Sequence, residues 1–268
     1  MTGTVQVRNM TLGEGLPKIC IPLTDADYDS LKRSAQNIQN SPLDFVEWRA
    51  DFYDGFCDET VRNDALRMLR NELGEIPILF TIRTKEEGGQ AAISAEEYTA
   101  VNRSVIESGL ADLVDVELMK GDEIMQTLCE AAHRAVITDG QTADSEVSST
   151  AHTVKIVGSR HDFNKTPEEA LIIGSLCKMQ ELGADVAKYA VMPTCERDVL
   201  TLLSATVTMK EKYNSTPVIT MSMGRLGALS RVCGTLSGSA VTFGTAGRAS
   251  APGQLPADLL KTFLESLA

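Results

Sequence analysis

The sequence predicts an α/β protein, a single (β/α)8 TIM barrel over residues 1–268 with an N-terminal β-hairpin closing one end. Three observations predict it. Eight short β-rich runs recur with amphipathic helical patterns between them, and eight β/α units in roughly 250 residues is what the barrel needs. Several of those runs alternate apolar with charged residues, which a sheet covered by helices must resolve by turning its charges inward. The glycine-rich first turn that a doubly wound sheet usually displays is absent.

The runs, in order, are "KICIPLT" (18–24), "FVEWRAD" (45–51), "PILFTIR" (77–83), "LVDVEL" (113–118), "TVKIVGSR" (153–160), "DVAKYAVM" (185–192), "TPVITMSM" (216–223) and "SAVTF" (239–243). Between them lie "DETVRNDALRMLRNEL", "SAEEYTAVNRSVIESGL", "TPEEALIIGSLCKMQELG" and "CERDVLTLLSATVTMKEKY". Their apolar residues return every three or four positions, as an amphipathic helix requires. "TPEE" at 166–169 predicts a helix start with Thr166 as cap and Pro167 at the first position. Residues 1–17 precede the first strand and supply the hairpin. The stretch 138–150, "TDGQTADSEVSST", is polar and too long for an ordinary connection; it reads as a solvated loop insertion.

Composition narrows the function. The 268 residues are 43% hydrophobic, enough for a packed core, and the net charge is −12. Without a basic cluster, and with 5% aromatics, nucleic acid is an improbable partner. The N-terminus lacks the apolar run of a signal peptide and no stretch suffices to span a bilayer, so the expectation is a cytoplasmic protein that binds no membrane. The six cysteines show no CxxC pair and read as reduced thiols. The three histidines lack zinc-site spacing, and neither GxGxxG nor a P-loop occurs. No metal and no cofactor is expected.

Side-chain alternation locates the chemistry, because successive strand residues face opposite sides. Val46, Trp48 and Ala50 oppose Phe45, Glu47, Arg49 and Asp51; Ile78, Phe80 and Ile82 oppose Leu79, Thr81 and Arg83; Val114, Val116 and Leu118 oppose Leu113, Asp115 and Glu117. In a barrel the apolar set faces the helices and the charged set faces the axis, where charges towards strand C-termini form a site. Lys188 falls on the axis with Val186, Ala190 and Met192. A buried lysine needs a reason. It is either an ion-pair partner of Glu47, Asp115 or Glu117, or an amine nucleophile. His161, directly after the fifth run, supplies an acid–base partner for the second reading.

The stretches "EWRADFYDG" (47–55), "FTIRTKEEGG" (80–89), "GSRHDFNKTP" (158–167), "ADVAKYAVMP" (184–193), "TMSMGRLGALSR" (220–231) and "SGSAVTFGTAGRASAPGQ" (237–254) resemble the type I 3-dehydroquinate dehydratase family. The matches run in order from about residue 13 to 256; the polar stretch 138–150 departs from the family's shorter connection. The resemblance implies elimination of water from 3-dehydroquinate to give 3-dehydroshikimate, a lyase step of the shikimate pathway that uses a Schiff base and no cofactor, in a homodimer. Carried over residue by residue, Lys188 resembles the Schiff-base lysine, His161 the acid–base residue and Glu87 the carboxylate orienting it. Arg231 resembles the substrate-carboxylate clamp, with Ser250 and Gln254 on a closing loop. Glu47, Arg49 and Arg83 resemble hydroxyl-binding residues, and Met221, Met223 and Phe243 apolar walls. Two other readings stay open: an aldolase-type barrel that uses Lys188 to cleave a carbon–carbon bond, and a non-catalytic barrel that binds a small carboxylate.

Overall fold

The structure, a computed structural model, describes residues 3–135, 137–138, 151–247 and 250–267. It opens with an antiparallel hairpin, β1 (Val5–Val7) and β2 (Met10–Leu12), with Arg8 in the left-handed region at φ 48°. A non-glycine residue is rarely found there. Arg8 is held there by ion pairs to Asp112 and Glu75. Alternating units follow: β3 (Lys18–Leu23), α1 (Tyr28–Asn37), β4 (Phe45–Arg49), α2 (Glu59–Leu73), β5 (Ile78–Thr81), α3 (Ala95–Ser108), β6 (Leu113–Glu117) and α4 (Asp122–Arg134). A short antiparallel pair, β7 (Ile137–Thr138) and β8 (Ala151–His152), brackets residues 139–150, so the predicted loop insertion lies almost wholly outside the described residues. Then come β9 (Lys155–Asp162), α5 (Glu169–Glu181), β10 (Val186–Val191), α6 (Glu196–Lys212), β11 (Val218–Ser222), α7 (Ala228–Val232), α8 (Gly234–Ser237), β12 (Val241–Thr245), β13 (Leu255–Pro256) and α9 (Ala257–Ser266).

The strands form one parallel sheet in the order β11-β10-β9-β6-β5-β4-β3-β12-β13. It curls until its ends meet. Val218 bridges Ser239, and the Ala240 amide donates to the Val218 carbonyl at 2.8 Å, so the joint between β11 and β12 closes the ring of eight. The eight strands are those the sequence predicts, β9 running two residues further to take in His161.

Local signals set the helices. Asp27, Asp58 and Ser94 each cap a helix by accepting from the backbone N–H three residues on. The expected cap at Thr166 is not formed. The Thr166 hydroxyl donates instead to the Met192 carbonyl at 3.2 Å, across the next β/α unit, and α5 begins at Glu169 with no side-chain cap. A tertiary contact has displaced a local one.

The core splits as the alternation requires. Val46, Trp48, Ile78, Phe80, Val114, Val116, Tyr189 and Val191 pack between sheet and helices. Trp48 meets Tyr53 and Phe80 edge-on at 5.5 Å, contacts worth about 0.5–1.5 kcal/mol each beyond burial. A second cluster fills the axis: Phe45, Leu79, Leu113, Val157, Val186 and Ile219 form a floor, and Val7, Met10 and Leu12 of the hairpin pack beneath it. The hairpin therefore closes the N-terminal mouth. Polar groups are left the C-terminal end.

Candidate active site

β10 carries Lys188 inward because its neighbours Ala187 and Tyr189 face the helices while Val186 and Ala190 face the axis. The side chain is buried, 3% exposed. Its Nζ lies 3.6 Å from Glu47 Oε1, 3.7 Å from Asp115 Oδ2 and 4.4 Å above the Phe243 ring. Both carboxylate distances exceed hydrogen-bond length, so Nζ donates to no side chain among the described residues. Glu117, the third partner considered, pairs elsewhere.

That partner is Arg83. Its guanidinium meets Glu117 at 2.9 Å, Asp115 at 2.8 Å, Glu87 at 3.5 Å and the Ser159 hydroxyl at 3.1 Å. The Asp115 contact is an ion pair rather than an aligned hydrogen bond. Burial works against the charge on Arg83, but Asp115, Glu117 and Glu87 outweigh it and hold its pKa well above the ordinary value. Burial likewise opposes ionisation of Asp115; Arg83, Lys188 and the Ser159 hydroxyl prevail and keep its pKa below the usual carboxylate value. Arg49 is engaged by Asp51 in a two-pronged contact, both bonds 2.8 Å.

His161 stands at the end of β9 with Nδ1 2.8 Å from Glu87 Oε2. Burial raises the Glu87 pKa to about 8, Arg83 opposing and Glu117 and Asp115 assisting. His161 moves the other way: burial first, then the cations Arg83, Lys188 and Arg49, drive its pKa well below 6.5. The imidazole is therefore neutral at neutral pH. Where Glu87 is ionised, Nδ1 donates to it and Nε2 offers a lone pair, the form a general base requires.

Arg231, on α7, is 2% exposed. It donates to the Pro252 carbonyl at 3.0 Å and weakly to the Phe243 carbonyl at 3.5 Å, while its Nε has no hydrogen-bond partner among the described residues. No described carboxylate pairs with it, and burial alone lowers its pKa to about 10. An unpaired buried cation is costly and points to an anionic ligand. Ser250 and Gln254 bond each other twice, at 2.8 and 2.9 Å. Their loop docks where the Gly224 amide donates to the Pro252 carbonyl. Gly253, at φ 76°, approaches Gly224 so closely that a Cβ would sit 2.2 Å from its carbonyl oxygen.

All twelve residues that the family resemblance assigns to the site line one cavity of about 140 Å³. Lys188 and Glu47 lie at its base, with His161, Glu87, Arg49 and Arg83 along one side. Met221, Met223 and Phe243 form an apolar wall, and Arg231 lines the cavity with Ser250 and Gln254 of the loop. Sequence reasoning missed Phe163 and Gly88, which also line it. The Phe163 ring stacks beside His161, 6.5 Å between centroids, and a Cβ on Gly88 would collide with it at 2.4 Å. The available signal was period two, since Phe163 follows His161 by two residues. Among the described residues no group of three His, Cys, Asp or Glu side chains is placed to hold a metal ion, and no helix is long and apolar enough to cross a membrane.

Comparison with known proteins gives a consistent picture. The type I 3-dehydroquinase family profile matches residues 19–268. A 3-dehydroquinate dehydratase from Clostridioides difficile (strain 630) is 42% identical over 267 residues, covering 100% of this chain and 98% of its own. Another, from Klebsiella pneumoniae (strain 342), is 44% identical over 268 residues and covers 100% of both chains. A solved type I 3-dehydroquinate dehydratase from Clostridium difficile, described with covalent modified comenic acid, superposes with a TM-score of 0.90 at 42% identity. It covers 100% of this chain and 98% of that one.

Proposed function

The chain belongs to the type I 3-dehydroquinase family, and from that premise we propose that it dehydrates 3-dehydroquinate through an imine on Lys188. The enzyme is a hydro-lyase of the shikimate pathway, yielding 3-dehydroshikimate. One observation carries the imine reading: Lys188 is buried at the base of the cavity, yet its Nζ donates to no side chain among the described residues. A lysine retained only for structure would satisfy its donors.

The geometry supports a sequence of steps. Neutral Lys188 attacks the ketone carbon; a C–N bond forms, the carbonyl C–O bond breaks, and with one proton taken up from solvent the oxygen leaves as water. The resulting protonated imine draws electron density from the adjacent carbon. His161 Nε2 removes a proton there, and Glu87 on Nδ1 steadies the imidazolium. The imidazolium then returns that proton to the departing hydroxyl, so a second water leaves and a carbon–carbon double bond remains. Hydrolysis of the protonated imine consumes one water, restores neutral Lys188 and returns the proton to solvent. Arg231 receives the substrate carboxylate in its planar fork. Glu47, Arg49 and Arg83 face the ring hydroxyls, Met221, Met223 and Phe243 hold the carbon ring, and the loop with Ser250 and Gln254 covers it.

The setting follows from the same reading. The enzyme is cytoplasmic and acts without a metal, a cofactor or nucleic acid. It works as a homodimer, for which Leu229 (54% exposed) and Leu236 (79% exposed) on α7 and α8 offer an apolar face. Sedimentation velocity reads the oligomer directly. For the chemistry, substrate and borohydride should inactivate the enzyme and leave one adduct on the peptide containing Lys188, absent in Lys188→Met. An adduct elsewhere, or an undiminished one in Lys188→Met, overturns the reading and favours a structural ion pair.

A further inference from the structure

The imine needs a partner for its charge. An ammonium carries three N–H donors, but the protonated imine carries one, along a single direction. Two carboxylates lie near Nζ at almost equal distance, Glu47 at 3.6 Å and Asp115 at 3.7 Å. Only one of them can take that proton donor.

Their surroundings separate them. Glu47 lines the cavity, and its nearer oxygen Oε1 already accepts from Thr81 at 3.0 Å. Asp115 is wholly buried and is not among the residues that line the cavity. Ser159 donates to its Oδ1 at 2.6 Å, which fixes the carboxylate plane. Its Oδ2 stands beside Arg83 yet accepts no aligned hydrogen bond, leaving a lone pair on the oxygen nearest the amine. The barrel lattice sets this arrangement: Ser159 is the register partner of Lys188, and β6, which carries Asp115, pairs with the same strand β9. Groups on strands hold position more tightly than groups on loops.

We propose that Asp115 is the fixed counter-ion of the Lys188 imine, locked by Ser159 and Arg83, leaving Glu47 free to meet the substrate. The assignment rests on the imine reading above. A carboxylate fixed before the reaction lets charge develop on nitrogen without reorganisation, which is where buried electrostatics contribute most. Arg83 keeps Asp115 ionised, and it also contacts Glu87, so one guanidinium orders the carboxylates that serve both the amine and the imidazole. The charged and titratable groups facing this pair are Cys20 from β3, Glu47 from β4, Arg83 and Glu87 beyond β5, Tyr98 from α3, Glu117 on β6 and His161 on β9.

Asp115→Asn keeps the shape and removes the charge. It should lower kcat by about 100-fold with KM within about threefold, the pattern of lost stabilisation in the reaction rather than in binding. The acid limb of the pH profile for borohydride trapping should move to lower pH, because the ammonium loses a buried counter-charge. A purely structural aspartate would leave that limb in place. Should Asp115→Asn fail to fold, Ser159→Ala tests the lock with the charge retained, and about a tenfold loss in kcat at unchanged KM is expected. Trapping on Lys188 with wild-type kcat and an unmoved limb in the variant overturns the counter-ion. Absence of any Lys188 adduct in the wild type overturns the imine reading itself, and the counter-ion with it.

Discussion

Replacing Arg231 with methionine should make the protein no less stable while destroying its activity. The guanidinium is 2% exposed, has no described carboxylate partner, and burial has lowered its pKa to about 10. At about 1.4 kcal/mol for each tenfold change in proton affinity, holding that charge costs roughly 3 kcal/mol. The sign is fixed. A cation whose pKa is depressed by folding destabilises the native state at every pH below about 10, so the cost is present throughout pH 5–9. Against it stands one good charged hydrogen bond, to the Pro252 carbonyl at 3.0 Å, contributing about 1.5–3 kcal/mol. Methionine removes both and fills similar space with a flexible apolar chain. The net change is roughly 0 to 1.5 kcal/mol in favour of the variant, a rise of up to about 4 °C in Tm. Activity should move the other way. A buried charged contact to a substrate carboxylate is worth about 2–5 kcal/mol, or about 30- to 5,000-fold in kcat/KM. Thermal melts and steady-state kinetics on one preparation test both halves. Destabilisation beyond about 2 kcal/mol would show that Arg231 is a structural residue; kcat/KM within about threefold of wild type would remove it from the carboxylate site.

Three further predictions follow from the same geometry. Glu87 has a pKa raised to about 8, so the stability it contributes is full below its ordinary 4.5 and is lost as pH rises through about 8; Glu87→Gln, always neutral, should gain stability relative to wild type in urea melts between pH 7 and 9, where His161 is neutral in both states, and parallel curves would contradict the assignment. His161→Ala should form the imine and stall, giving a long-lived adduct in intact mass spectra after substrate addition; turnover near wild type would place acid–base catalysis on another residue. Replacing residues 139–149 with a short Gly/Ser bridge should leave kcat within about twofold, since β7 and β8 pair antiparallel and bring the cut ends together; loss of turnover in a cooperatively melting variant would make the insertion functional.

Period two made the barrel legible. Because a strand turns every second residue the same way, Val46 and Trp48 had to face the helices, and Glu47 and Arg49 the axis, and they do. Lys188 was placed by the same rule, as were Asp115 and Glu117. Loops have no such period. Glu87, Arg231, Ser250 and Gln254 came from family resemblance, and nothing in their spacing would have brought them to one cavity. Pairing was also hidden. That Arg83 would engage Asp115 and Glu117 rather than stand free depends on the stagger between β5, β6 and β9, which only the closed ring fixes. Thr166 failed as a cap for a related reason: sequence shows the local N–H groups from which a cap would accept, but not the Met192 carbonyl to which the hydroxyl donates instead.

A protein of net charge −12 must still attract an anion, and the pairing inside the barrel shows how. Arg49 is neutralised by Asp51, Arg83 by Asp115 and Glu117, and Lys188 faces Glu47 and Asp115. Arg231 is the cavity cation with no described carboxylate beside it. A carboxylate entering the cavity therefore finds one favourable pole, beneath the loop that carries Ser250 and Gln254. Lys188 and His161 line the same cavity as Arg231, so a ligand held at that pole shares the cavity with both. On the function proposed above, the uncompensated charge would orient the substrate before any bond changes. A carboxylate introduced into the cavity wall, by Met223→Glu for instance, would compete for the guanidinium and erase that orientation. Such a variant should keep its fold and lose substrate affinity, and unchanged KM would show that the pole lies elsewhere.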